Sequence, residues 1–343
     1  MNFLAGDIGG TKTLLAIYSY QNELITLHQK KYQSKEWCSI EPLIKDFLQN
    51  LPTGIEAPMR GCLAIAGPVS NGSCKLTNLG WNLSQQELCK SSNLESLEII
   101  NDVCALIYGI PFFKDKQFIQ IQGLINKGKS CKSVAVIAAG TGLGIAKGVI
   151  SKKNILALPS EGGHQEFSPR SITEWELSEW LKYDLRLKRL SLERIVSGNG
   201  LGHIARWRLH KSDAAEHHLK KIANDWPLDQ KIDLPAIACK AAKNGDEFMM
   251  QAYKLWLSAY GSAAGDLALN ELCEGGLWIA GGTASKNLDG IRSEHFLESM
   301  KNKGRFSNYL HEIPVMVLID PEAGLFSAAC RARMLAESSE RLI

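Results

Sequence analysis

Nine cysteines are scattered over 343 residues without a single Cys-x-x-Cys pair. That spacing supports neither a disulfide framework nor a cysteine zinc site. Cys62, Cys104 and Cys330 lie in apolar contexts and read as small core residues. Excess charge is lacking too: a formal net charge of +3 is too small to argue for nucleic acid or an anionic membrane as partner. No long uninterrupted apolar run exists, because residues 133–150 carry several glycines and Lys147, so no membrane span is expected. The chain enters a strand at once and leaves no room for a signal peptide. His210, His217 and His218 lack a cysteine or a well-spaced carboxylate nearby, so residues 205–233 read as a solvated helix or inserted loop rather than a metal site. These absences fit a soluble cytosolic enzyme. Its length exceeds what one core usually serves, so two lobes are expected.

What is present is a pair of glycine-threonine loops. Gly6-Asp7-Ile8-Gly9-Gly10-Thr11 lies between Phe3-Leu4-Ala5 and Leu14-Leu15-Ala16-Ile17, and Gly140-Thr141-Gly142-Leu143-Gly144 lies between Val134–Ala138 and Ile145-Ala146. Short β-branched runs closed by glycine read as strand, tight turn, strand. Such a loop lets successive N–H groups converge on an anion, and threonine adds a hydroxyl donor. Either loop alone could be an ordinary hairpin. Two of them, one in each half, suggest a duplicated α/β unit that grips a polyphosphate between two lobes.

The pattern predicts strands at 3–8, 13–19, 23–29, 60–66 and 97–101, with helices near 40–50 and 84–91. A second cycle runs through Phe118–Ile121, 133–139 and 143–150 to a hairpin at Lys152-Lys153-Asn154. Residues 171–273 read as mostly helical, with a long periodic segment over 246–272. Strands at 277–280 and 315–319 and a helix over 322–337 close the chain. Gly123–Ser130 matches the phosphate-loop pattern GxxxxGK[ST], but a strand follows instead of the helix whose N-terminus that motif needs, so the match reads as a surface turn.

Leu97–Ile100 is a buried strand that delivers Asn101-Asp102 at its carboxyl end, where α/β proteins place ligands. An aspartate there can accept the proton of an attacking hydroxyl. It can equally cap the helical run Val103–Gly109, and the local sequence leaves both roles open. Thr77-Asn78 with Trp81, Glu161-Gly162-Gly163-His164 and Glu193-Arg194 are polar clusters suited to sugar hydroxyls. Taken singly, each also reads as structural.

These motifs, with Ser197-Gly198, Ala280-Gly281-Gly282 and Lys303–Phe306, run in order over almost the whole chain. Together they resemble the bacterial glucokinases of the hexokinase–actin-like superfamily, in the group without the zinc loop of the repressor/kinase branch. The resemblance implies an α/β fold of two actin-like (ribonuclease H-like) lobes with a ligand cleft between them. Residues 1–112, joined by 320–343, would form the small lobe and 113–319 the large one. It also implies ATP-dependent phosphorylation of glucose to glucose 6-phosphate, feeding glycolysis. By this resemblance Asp102 is the general base, and Asn78, Asn101, Glu161, His164 and Glu193 hold other hydroxyls. Gly6, Asp7, Ile8, Gly9, Gly10, Thr11, Gly140 and Thr141 would bind the phosphates of ATP, Gly281 and Gly282 would border the adenosine, and Asp7 would orient Mg2+ through water. A cytoplasmic homodimer is implied as well. Another hexose, such as fructose or mannose, or a non-catalytic sugar sensor, are the alternatives. No helix-turn-helix precedes the first strand, which argues against a repressor. Asn199 stands where the family commonly has proline, which would loosen the loop beside Glu193.

Overall fold

The computed structural model describes residues 1–125, 131–152, 154–229 and 231–340. Its strands are β1 (Asn2–Ile8), β2 (Lys12–Tyr20), β3 (Leu24–Gln33), β4 (Arg60–Ile65), β5 (Val69–Ser70), β6 (Ser73–Leu76), β7 (Trp81–Ser84), β8 (Ser96–Asn101), β9 (Phe118–Gln122), β10 (Cys131–Ala139), β11 (Leu143–Ser151), β12 (Ile155–Ser160), β13 (Leu277–Ala280) and β14 (Val315–Leu318). They form sheets in the orders β3-β2-β1-β4-β8, β12-β11-β10-β13-β14-β9 and β5-β6-β7. The chain divides into two compact units, one of residues 1–118, 146–159 and 320–343, the other of residues 119–145 and 160–319.

In the first unit β1 pairs antiparallel with β2 and parallel with β4, and β4 pairs parallel with β8. Alternation along a strand sends neighbouring side chains to opposite faces. Leu4 and Ile8 therefore join a core with Phe47 and the other apolar residues of the helix Ile40–Gln49, while Phe3 and Ala5 join the opposite core. That second core is built from small residues: Ala5, Ala16 and Ala64 of the sheet meet Ala328, Ala329 and Ala332 of the C-terminal helix Ala323–Glu340. Small side chains on both surfaces let helix and sheet approach closely. Arg331 of this helix makes a two-pronged bond to Glu98 of β8, with its Nη2 at 3.0 Å from Oε1.

In the second unit β10, β13 and β14 run parallel. β13 and β14 are buried at every position, as strands covered on both faces must be. The helix Glu247–Glu271 supplies Trp256 and Tyr260 to the core and is capped by Asp246, which accepts from the Met249 N–H at 2.9 Å.

Most elements lie where the periodicity puts them. β3 runs on to Gln33 instead of ending near 29, because its polar edge residues keep pairing with β2 as far as Lys12. The small sheet β5-β6-β7 has strands too short to carry an apolar run. Residues 205–233 correct the expectation of a solvated insert: Ala205, Trp207, Leu209, Ala214, Leu219 and Ala223 are buried in the core of the second unit. Residues 126–130 of the phosphate-loop match, and Lys153 of the expected hairpin, lie outside the described residues. The residues after Ser130 form β10, not a helix.

Candidate active site

Strand register brings three expected site residues of the first unit, Asp7, Asn101 and Asp102, to the same strand ends. Ile8 of β1 stands beside Ile65 of β4, which stands beside Asn101 of β8, so three parallel strands end in one row. Asp7 and Asp102 flank that row. The Asp7 carboxyl is pushed up to about 6, chiefly by burial and then by the nearby charge of Asp102. Both effects disfavour its ionised form. Gly324, in the first turn of the C-terminal helix, leaves room for Asp7: a Cβ there would lie 3.1 Å from Asp7 Oδ2.

Asn101 is the residue that caps the helix Asp102–Gly109. Its Oδ1 accepts from the Val103 and Cys104 N–H groups at 3.0 Å each, and its Nδ2 donates to the Gly67 carbonyl at 3.2 Å. Most of its hydrogen-bonding capacity is thereby used within the fold. Asp102 begins the helix, and its Oδ1 accepts from the Val103 N–H at 2.9 Å. The cap that local sequence would assign to Asp102 belongs to its neighbour.

The first glycine loop is shorter than the motif that announces it. Gly6 lies inside β1, where a Cβ would come 2.5 Å from Leu63 Cδ2, and Ile8 is fully buried. The turn itself is Gly9-Gly10-Thr11, closed by Gly9 N–H donating to the Lys12 carbonyl at 2.9 Å. Ser34 braces it: its N–H donates to the Thr11 carbonyl and its hydroxyl to that of Gly9, at 3.0 and 2.9 Å. No sequence signal marked Ser34, since it is distant in the chain and belongs to no motif. Asn78 is exposed beside Gly10, whereas Trp81 is core, its Nε1 donating to the Trp37 carbonyl.

In the second unit the loop Gly140–Gly144 is pinned at Gly140, whose carbonyl accepts from the Gly198 N–H at 2.8 Å and from Thr283 Oγ1 at 3.1 Å. The loop borders a cavity of about 490 Å³. Gly140, Thr141, Asn199, Lys240, Lys243 and Thr283 are among the residues that line it. Thr283 directly follows Gly281-Gly282. Gly281 has a φ of +91°, and a Cβ there would come 2.3 Å from the Ala139 carbonyl oxygen, so no other residue fits that bend. Lys240 and Lys243, on the helix Leu234–Lys243, carry no motif that sequence reading could find.

Glu193 and Gly163 meet at Leu143 of the same loop. Glu193 Oε2 accepts from the Leu143 N–H at 3.0 Å, and Gly163 packs so tightly that a Cβ would lie 2.0 Å from the Leu143 carbonyl oxygen. Glu161 and His164 are exposed, with Oε2 and Nε2 3.7 Å apart. The segments carrying them are joined by Leu192 N–H to the Gln165 carbonyl, Phe167 N–H to the Leu190 carbonyl, and Arg189 Nη1 to the His164 carbonyl, each at 2.8 Å. Asn199 opens no slack beside Glu193. Ser197 accepts from Gly200 N–H and donates to the Glu193 carbonyl at 2.7 Å, and its own carbonyl accepts from Trp256 Nε1.

A carboxylate does join two of the histidines of residues 205–233. His217 Nε2 lies 2.9 Å from Asp246 Oδ2, and His217 Nδ1 accepts from the Leu219 N–H at 3.2 Å. Both ring nitrogens are engaged, and the cluster of His217, His218 and Asp246 sits at the positive N-terminal end of the helix Glu247–Glu271. Each of the three offers one ligand atom, and these atoms lie within 4.8 Å of one another, a clustering that the sequence spacing did not suggest.

A family model described as Glucokinase matches residues 4–335. The chain belongs to the glucokinase family. It is 37% identical to a glucokinase from Trichormus variabilis over 96% of its own length and 99% of that protein's. Among solved structures, a glucokinase from an Antarctic psychrotroph superposes with a TM-score of 0.81 at 28% identity, covering 97% of this chain and 99% of the other. A ROK family glucokinase from Streptomyces griseus, in complex with glucose and AMPPNP, shares the fold at a TM-score of 0.61 and 19% identity, covering 97% and 100%. In this glucokinase family member, no described helix is long and apolar enough to cross a membrane.

Proposed function

We propose that the protein transfers the γ-phosphoryl group of ATP to the 6-hydroxyl of D-glucose, with Asp102 as general base. The observation that carries this reading is the placing of the Asp102 carboxylate at the carboxyl end of β8, in the row where β1, β4 and β8 end and beside Asp7, with the neighbouring Asn101 as the helix cap. A positioned carboxylate can take the hydroxyl proton as the oxygen attacks phosphorus. Asn78 and the remaining Asn101 amide hydrogen, with Glu161, His164 and Glu193, would hold the other hydroxyls. Gly9, Gly10, Thr11, Gly140 and Thr141 would meet the phosphates, while the cavity beside Thr283 would take the nucleotide, the adenosine bordered by Gly281 and Gly282 and the anionic phosphates suited to Lys240 and Lys243. Asp7 suits Mg2+ as a hard oxygen donor that burial and Asp102 make avid for positive charge. Bound with ATP, Mg2+ would neutralise charge developing on the transferred group.

A glycolytic role, a cytoplasmic location, a homodimer and the lobe limits 1–112 with 320–343 and 113–319 belong to the same reading and rest on the family resemblance. The test is a coupled ADP-release assay over glucose, fructose and mannose with Mg2+-ATP. Glucose should give the highest kcat/KM. Turnover on another hexose with none on glucose would replace the substrate, and binding without turnover on any sugar would mean a sensor.

A further inference from the structure

Glycine at position 142 has a reason unrelated to phosphate. Its φ is not in the left-handed region, so the backbone does not require glycine. What a side chain would displace is the end of Glu193: a Cβ would lie 2.4 Å from Glu193 Oε2 and 3.2 Å from Glu193 Cδ. Gly140, two residues earlier in the same loop, has nothing within 4 Å of the same construction. Glu193 thus reaches over position 142 to take the Leu143 N–H, a charge-assisted bond that fixes its carboxylate. The backbone of Glu193 is held separately by Ser197 Oγ, so an obstructed carboxylate retreats by turning its side chain.

We infer that Gly142 is a positioning residue for the sugar, acting through Glu193: its missing side chain sets where that carboxylate stands. The inference rests on the reading above that Glu193 accepts from a glucose hydroxyl. It has an unexpected consequence. Gly142 lies in the loop assigned to the nucleotide, yet its substitution acts on glucose.

The test is calorimetric glucose binding without nucleotide, with steady-state kinetics, on wild type, Gly142→Ala, Glu193→Ala and the double variant. Gly142→Ala should weaken nucleotide-free glucose binding by about tenfold or more, and raise the KM for glucose more than that for ATP. The double variant should bind glucose no more weakly than Glu193→Ala alone, since the two residues act as one unit. Gly142→Ala with unchanged glucose affinity, or a double variant showing the full sum of both losses, would overturn the inference. Should Gly142→Ala fail to fold, the double variant, which restores the space, must fold; its failure too would show that Glu193 is not what the glycine accommodates. Wild-type protein that binds no glucose would instead defeat the functional reading beneath.

Discussion

Asn101 Oδ1 accepts the Cys104 N–H at 3.0 Å, in the geometry of a helix cap three residues ahead of its donor. Together with the Val103 bond it meets two of the donors a helix start leaves unsatisfied. The adjacent Asp102 Oδ1 accepts the Val103 N–H as well, at 2.9 Å, so the proposed base stands beside the cap.

From this follows a contrast between neighbours. Asp102→Asn should cut turnover by ~10²–10⁴-fold, because an amide cannot accept the hydroxyl proton. Glucose affinity should fall far less, and the melting temperature should hardly move. Asn101→Ala should instead cost roughly 0.5–2 kcal/mol of stability through the lost cap. Chemical denaturation and kinetics of the two variants separate the roles, and an active Asp102→Asn enzyme would remove the general base from the mechanism.

Asp7 makes stability depend on pH in an unusual direction for an aspartate. Its carboxyl is raised from 3.8 to about 6, so between those values the folded protein binds more protons than the unfolded chain. Stability consequently falls as pH rises through this window and stays lowered above it. Asp7→Asn should relieve the cost, on the order of 3 kcal/mol at neutral pH. The variant should melt above wild type at pH 7.5 without Mg2+-ATP, the difference closing near pH 4, while turnover drops. Equal melting temperatures across that range would contradict the burial that sets the shift.

Thr141 and Thr283 flank the cavity of the second unit, and Thr283 reaches Gly140 through its hydroxyl. Thr141→Val should raise the KM for ATP or depress turnover by the worth of a charge-assisted bond, about 1.5–3 kcal/mol. Thr283→Val should act more mildly, near the ~1 kcal/mol of a neutral bond, with Thr283→Ser restoring it. Lys129→Ala should leave ATP kinetics nearly unchanged. If Lys129→Ala is the most damaging of these, the nucleotide assignment fails.

Much of this was legible from pattern. Strand-loop-strand units around Gly9-Gly10 and Gly140–Gly144 stand where alternation and glycine put them. Asp102 stands at a strand end for the same reason. What stayed hidden depends on partners distant in the chain. Ser34 braces Gly9 from 25 residues away, Thr283 bonds to Gly140 across 143, and Asp246 meets His217 across 29. None of these pairs has a local signature, because each is made by packing. The two roles of Asp102 stayed open for a different reason: Asn and Asp cap about equally well, so adjacent candidates cannot be ranked without the backbone angles that place Asn101 outside the helix.

Gly324 sets a final, sharper test of Asp7. Exchanging glycine for alanine within a helix ordinarily stabilises by roughly 0.5–1 kcal/mol. At Gly324 the added methyl would sit 3.1 Å from Asp7 Oδ2, tighter than ordinary contact. It would press on the carboxylate and strip away more of its water, which raises its pKa further. Propensity and crowding then oppose each other, and pH decides between them. At pH 4, where Asp7 is mostly neutral, Gly324→Ala should be at least as stable as wild type. At pH 7.5 the ionised carboxylate meets the methyl, and the gain should vanish or reverse. Activity should need more Mg2+ for half its maximum, because the same oxygen is displaced. Thermal melts at the two pH values and a Mg2+ titration of turnover measure both effects, and a variant with wild-type Mg2+ dependence would separate Asp7 from the metal.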